Sequence, residues 1–163
     1  MSWALIAAAA AGLNAGAGLH CILMDQTPSP TTESALSEAH WQVQRSTAAS
    51  KITMSSTLAA IAAGASFGAY ASAGDTADPA YITCGLISAT IPLYNFIVMA
   101  PTAAVVSNKV MDQVAPAERS SWVASFQRKS WVAAGLAVAS FGCTLLVLRT
   151  ERAGDATANP LRY

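Results

Sequence analysis

Ile91-Pro92-Leu93-Tyr94-Asn95-Phe96-Ile97-Val98-Met99-Ala100-Pro101-Thr102 lies inside the third long apolar segment of the chain, and its reading decides the rest. Each of its two prolines lacks an N–H, so a carbonyl one turn back loses its helical partner. In lipid such a break survives only where neighbouring helices, polar side chains or water take up the freed groups. Asn95 and Thr102 stand close enough in sequence to supply that help. The stretch therefore predicts a kinked helix packed inside a bundle, its end facing a polar pocket. A plain proline-kinked membrane helix with no pocket is the competing reading, because glycine and proline are commoner in membrane helices than in soluble ones.

Composition fixes the solvent. Charged residues make up 11% of the 163 residues, against roughly 25% in soluble domains. Apolar types reach 53% and the mean hydropathy is +0.40. Nine basic residues balance nine acidic ones, so the chain has no electrostatic footprint for nucleic acid. Cys21, Cys84 and Cys143 each sit in an apolar segment, far apart and without metal-binding spacing, and read as small buried hydrophobes. Length alone points to one domain.

Outward from the proline-rich stretch, three more apolar runs are long enough to cross a bilayer, which takes about 20 residues. Ser2 to Met24 is the first, with Trp3 placed as an interfacial anchor. A signal peptide competes for this run, but no Lys or Arg precedes it and it outlasts a typical apolar core of about 7–15 residues, so a retained helix is expected. Asp25 to Pro30 breaks the chain, and Thr31 or Thr32 caps a polar helix that runs into the second span, Ile52 to Ala73. Gly12 with Gly16, and Gly64 with Gly68, are spaced for close helix approach. An acidic turn around Asp75 and Asp78 leads to the third span, Ala80 to about Val106. Pro116 marks the next helix start, which reaches the fourth span, Trp131 to Leu148. The expected architecture is all-α: a four-helix up-down-up-down transmembrane bundle over residues 1–150, followed by a flexible tail over 151–163.

In that topology the first and third connections share one side. Arg45, Lys51, Lys109, Arg119, Arg128 and Lys129 fall there, against Arg149, Arg152 and Arg162 on the other. The positive-inside rule makes the first side cytosolic. His20 and Asp25 end the first span at that side, His40, Trp41 and Arg45 enter the second, Asn108 and Lys109 follow the third, and Gln127, Arg128 and Lys129 open the fourth. A single polar funnel at that end is the expected site. Each basic residue taken alone also reads as a snorkelling side chain. His20 differs, because an ionisable group inside an apolar run usually faces the bundle interior. Asn14 and Asn95 read first as interhelical hydrogen-bonding glue. The sequence carries none of the established protease, hydrolase or nucleotide-binding signatures.

Gly18-Leu19-His20 running to Asp25-Gln26-Thr27-Pro28, then Trp41 and Arg45, then Pro92-Leu93-Tyr94 to Met99-Ala100-Pro101-Thr102, then Trp122 to Lys129, resembles the anthrone oxygenase-like family of small four-helix membrane proteins. The chain departs from that pattern at Ala103, where the family has an asparagine (Asn108 is the nearest here), and at Phe126, near the family's histidine. The resemblance implies oxidation of an anthrone-like polycyclic phenol to a quinone by O2, with neither metal nor flavin as cofactor. Such chemistry needs a base, a cation or donor for the developing phenolate, and a dry pocket. His20 or Asp25 is the expected base. Lys51, Arg128 or Lys129 would hold the oxyanion, and Trp41 and Tyr94 would face a flat substrate, with Asn95 and Asn108 as further polar contacts. The partners implied are a hydrophobic aromatic small molecule and membrane lipid. A homo-oligomer or larger membrane complex stays open. The rival expectation is a non-catalytic membrane subunit or assembly factor, whose glycines and prolines serve packing alone. A small lipid or quinone carrier is a third.

Overall fold

The computed structural model describes residues 2–24, 34–74 and 78–158. Every long element is a helix: α1 Trp3–Met24, α2 Ser34–Ala73, α3 Ala80–Tyr94, α4 Ala100–Ser107 and α5 Pro116–Ala158. α3 and α4 belong to one span, joined by a π turn over Asn95–Met99. The protein is thus an all-α bundle of four helical spans, each long and apolar enough to cross a membrane. The helices pack in a ring, α1 against α2 and α5, and the third span against the same two. The facing pairs Gly12/Phe141 and Gly18/Ala134, Ser56/Asn95 and Phe67/Gly85, and Ser88/Ser140 and Thr102/Lys129 each descend on one helix as they climb on the other. Neighbours are therefore antiparallel throughout.

The outer surface shows which solvent this fold requires. Leu13, Leu93, Phe96, Ile97 and Leu146 point away from the bundle, Phe96 at 78% exposed. The interior, though it also buries Trp41, Tyr81, Ile91 and Phe126, is rich in alanine, serine and threonine, small enough to let helix backbones come close. That inversion has no driving force in water, but in lipid the tails solvate leucine outside while dispersion and hydrogen bonds hold small residues inside.

The two prolines do not end the third span. A helical Pro101 has no N–H and sets its ring against the carbonyl of Ile97. The chain widens just before it: the N–H of Ala100 bonds the carbonyl of Asn95, five residues back, and the N–H of Asn95 is shared between Ile91 and Pro92. The device that accommodates the prolines is thus a π turn, a bulge of the kind often found where a helix carries function.

Two expectations are corrected. The C-terminal segment was expected to lack structure from residue 151, but α5 continues to Ala158. Glu151, Arg152 and Ala153 favour helix, and the first proline beyond Pro116 is Pro160. The glycine faces are half right. Gly12 meets the ring of Phe141 and Gly68 the ring of Trp3, whereas a Cβ at Gly16 or Gly64 would find nothing within 4 Å. The backbone of α1 approaches α5 at Gly18, where a Cβ would lie 3.3 Å from Ala134 Cβ and 3.5 Å from its Cα. Elsewhere Pro116 does open its helix, with the N–H groups of Glu118 and Arg119 bonded to the carbonyl of Ala115. The capping threonines 31 and 32 lie outside the described residues.

The same substitution at the two glycines should separate packing from lipid exposure. Gly18→Val forces α1 and α5 apart and should destabilise by about 1–3 kcal/mol. Gly16→Val, on open surface, should stay within about 0.5 kcal/mol. Thermal unfolding of each variant in detergent, followed by circular dichroism, measures both. Equal losses would contradict this packing.

Candidate functional site

Where the third span widens, Asn95 is wholly buried and turned to the bundle interior. Its amide nitrogen donates to Ser56 Oγ on α2 at 3.0 Å. Beside it lies a cavity of about 50 Å³ to which α1, α2, the π turn and α5 all contribute. Asn14 and Cys21 line it from α1, Lys51 and Ser55 from α2, Asn95 from the π turn and Ser130 from α5, among alanines, Ile52, Met54 and Met99. Lys51 is the one charged side chain in that lining. Its ammonium donates to Gln44 Oε1 at 3.3 Å, two turns back along α2, so it leans towards the polar end of the helix. Met54, 45% exposed, forms part of the wall where the cavity meets the outer surface.

Two buried polar atoms, one on a residue that lines the cavity and one beside Lys51, have no hydrogen-bond partner among the described residues. One is Asn95 Oδ1; the other is Gln44 Nε2, on a side chain only 1% exposed. An unmet amide group in an apolar interior costs on the order of 1–3 kcal/mol. Such groups are rare in native structures, and each calls for a specific explanation.

The expected single funnel is not what the fold builds. Of the residues proposed from sequence, only Lys51 and Asn95 line the cavity. Trp41 is buried in an apolar cluster with Met111, Val123 and Phe126, which plugs the bundle between its polar end and the cavity. Its indole N–H donates to Asp112 Oδ1 at 3.4 Å, Arg45 pairs with Asp112 Oδ2, and the Arg119 guanidinium sits 5.8 Å above its ring. Tyr94 donates to the backbone carbonyl of Lys129 at 3.2 Å, and the Lys129 ammonium donates to Thr102 Oγ1. Asn108 is exposed and caps the short 3-10 turn after the third span, accepting from the Val110 N–H at 3.0 Å. Arg128 is exposed.

His20, expected to face inward, is exposed, while its neighbour Cys21 lines the cavity. One residue on a helix turns the side chain by about 100°, enough to carry His20 past the interior. Asp25 lies outside the described residues. Among those residues no three His, Cys, Asp or Glu side chains gather as a metal site would require. Asp112 and Gln44 went unrecognised in the sequence, as did Ser55, Ser56 and Ser130. Nothing in a serine-rich, helical sequence distinguishes the inward serines from the outward ones.

Arg45 and Asp112 tie α2 to the turn before α5, with the carboxylate 41% exposed. At that exposure water screens the pair, so a double-mutant cycle of Arg45→Met and Asp112→Asn should return a coupling of about 0.5–1 kcal/mol. Chemical unfolding in detergent reads it. A coupling of several kcal/mol would mean that the pair is far drier than its exposure implies.

Compared with models of protein families, with curated proteins and with solved structures, the chain finds no match.

Proposed function

We propose that this chain is a membrane-embedded, cofactor-independent monooxygenase that oxidises an anthrone-like phenolic substrate with O2. One observation carries the reading: a cavity to which all four spans contribute sets a cation, Lys51, and a buried amide, Asn95, among alanines, serines and apolar side chains. That pairing suits a poorly soluble molecule whose one polar edge becomes anionic during reaction. Lys51 holds the phenolate oxygen, and the low dielectric around it strengthens the attraction. The balance is one substrate CH2 and one O2 giving one C=O and one water. The benzylic carbon loses a proton, the electron-rich carbanion forms a C–O bond with O2, and loss of water from the resulting hydroperoxide leaves the ketone. The abstracted proton returns to the peroxide oxygen to make that hydroperoxide, so no net proton is released.

The cavity is small beside ordinary ligand sites of about 300–1,000 Å³. It accepts an oxygen-bearing edge and not a ring system, so the rings lie outside it, against the lipid-facing surface at Met54. Charge asymmetry supports a cytosolic assignment of the Arg45, Lys109 and Arg119 end. The same small volume also favours a second reading, a non-catalytic membrane subunit in which Lys51 and Asn95 serve assembly.

An oxygen electrode decides between them. Purified protein in detergent should consume one O2 per anthrone above the protein-free rate. Lys51→Met should lower kcat/KM by about 10²-fold, the usual loss when an oxyanion partner is removed. No excess consumption, with a partner protein co-purifying in fixed ratio, would establish the subunit reading instead.

A further inference from the structure

We infer that Asn95 reads a hydroxyl group on the ligand, and that only ligands able to donate a hydrogen bond fill this cavity. The inference rests on the reading of the cavity as a binding site, but not on the oxidation. Asn95 is fully buried and lines the cavity, its amide nitrogen is engaged by Ser56, and its amide oxygen has no partner. An amide oxygen only accepts. What completes it must therefore be a donor: a phenolic or alcoholic hydroxyl meets the requirement, whereas a ketone, an ether or a hydrocarbon does not.

The opposite preference holds around Lys51. An ammonium only donates. A ligand oxygen facing Lys51 must accept, and one facing Asn95 must donate. The site thus selects molecules that carry both kinds of oxygen along one edge. Hydroxylated aromatic ketones and polyhydroxylated aromatics belong to this class, and fully methylated or deoxygenated analogues do not. Rejection is the stronger half of the selection. A site built around a hydroxyl leaves its own buried group unpaired when the hydroxyl is missing, which discriminates far better than a lost methylene does.

The π turn makes this acceptor available. With its N–H groups bonding five residues back, the widened helix carries Asn95 to a fully buried position facing α2. In this orientation Ser56 takes up the amide nitrogen and the oxygen is left over.

The test needs no turnover. Binding of 1-naphthol and of 1-methoxynaphthalene is measured by equilibrium dialysis with protein-loaded lipid nanodiscs, subtracting uptake by empty nanodiscs. The wild-type protein should bind the naphthol at least ten-fold more tightly than the ether. Asn95→Leu should bring the two to within about two-fold of each other. Equal affinities in the wild type would overturn the inference whether or not the variant folds. So would binding of neither compound, or a preference that persists in a folded Asn95→Leu. A clear preference in protein that consumes no O2 with anthrone would remove the oxidation and leave the hydroxyl site standing.

Discussion

A proline cannot donate a hydrogen bond, and the interior of this bundle is arranged around the one missing at Pro101. In water a helix would end there and let solvent meet the loose carbonyl. Four apolar spans have no such solvent at mid-depth, so the backbone must satisfy itself. The π turn over Asn95–Met99 does this by lengthening the hydrogen-bonded ring by one residue while keeping the span continuous from Ala80 to Ser107. The widening costs a notch in the helix surface. Opposite that notch α2 presents Ser55 and Ser56, and α5 presents Ser130 and Ala133, too small to fill it. The cavity is thus a packing consequence of a backbone constraint, and the residue at the start of the widening, Asn95, is among those that line it.

The same constraint explains why the polar side chains are dispersed. A buried polar group far from water has to find its partner at its own depth. Ser88 meets Ser140 at 2.6 Å between the third span and α5, Asn95 meets Ser56, and Lys129 reaches Thr102. Ser66, Ser130 and Thr144 turn back to the carbonyl four residues earlier, closing their own requirement within one helix. Each pair pins two antiparallel helices at one level, so the register of the bundle is set by a series of local matches. Against that background the lone oxygen of Asn95 and the lone nitrogen of Gln44 are exceptions.

Much of the fold was legible because lipid crossing writes itself in one dimension. Apolar run length gives the spans, connection length gives their antiparallel neighbours, and Pro116 gives the start of α5. The site was legible only at Lys51 and Asn95, and for a physical reason. Sequence shows at what depth a residue lies along a span, since each residue rises 1.5 Å, but azimuth decides whether it faces the interior. A weakly amphipathic, alanine-rich helix carries little azimuthal signal: the first span has no strong apolar stripe to say that Asn14 and Cys21 look inward while His20 looks out. Grouping residues by depth therefore merged Trp41, Lys129 and Asn108, which the fold assigns to a plug, an interhelical tie and a turn cap. The end of α5 was misjudged for the opposite reason. Loss of hydropathy after Leu148 marks the end of the lipid, and helix propensity carries the chain on to Ala158.

The small size of the cavity has a different meaning in a membrane than in water. A soluble binding protein must enclose most of an apolar ligand, because every uncovered ring edge stays in an unfavourable solvent. A site of the proposed kind, open to lipid, has no such obligation, since a ring system resting against the lipid-facing surface would already be well solvated. Burying more of the rings would gain little, and the binding free energy falls on the few polar atoms that leave the headgroup region for the interior. On the proposed reading those atoms arrive dehydrated, where an unmet donor is costly, so a match with Asn95 Oδ1 and with Lys51 would decide which molecule stays. A cavity just large enough for an oxygen-bearing edge can then be selective for a molecule many times its volume, provided that the approach past Met54 is by way of the bilayer.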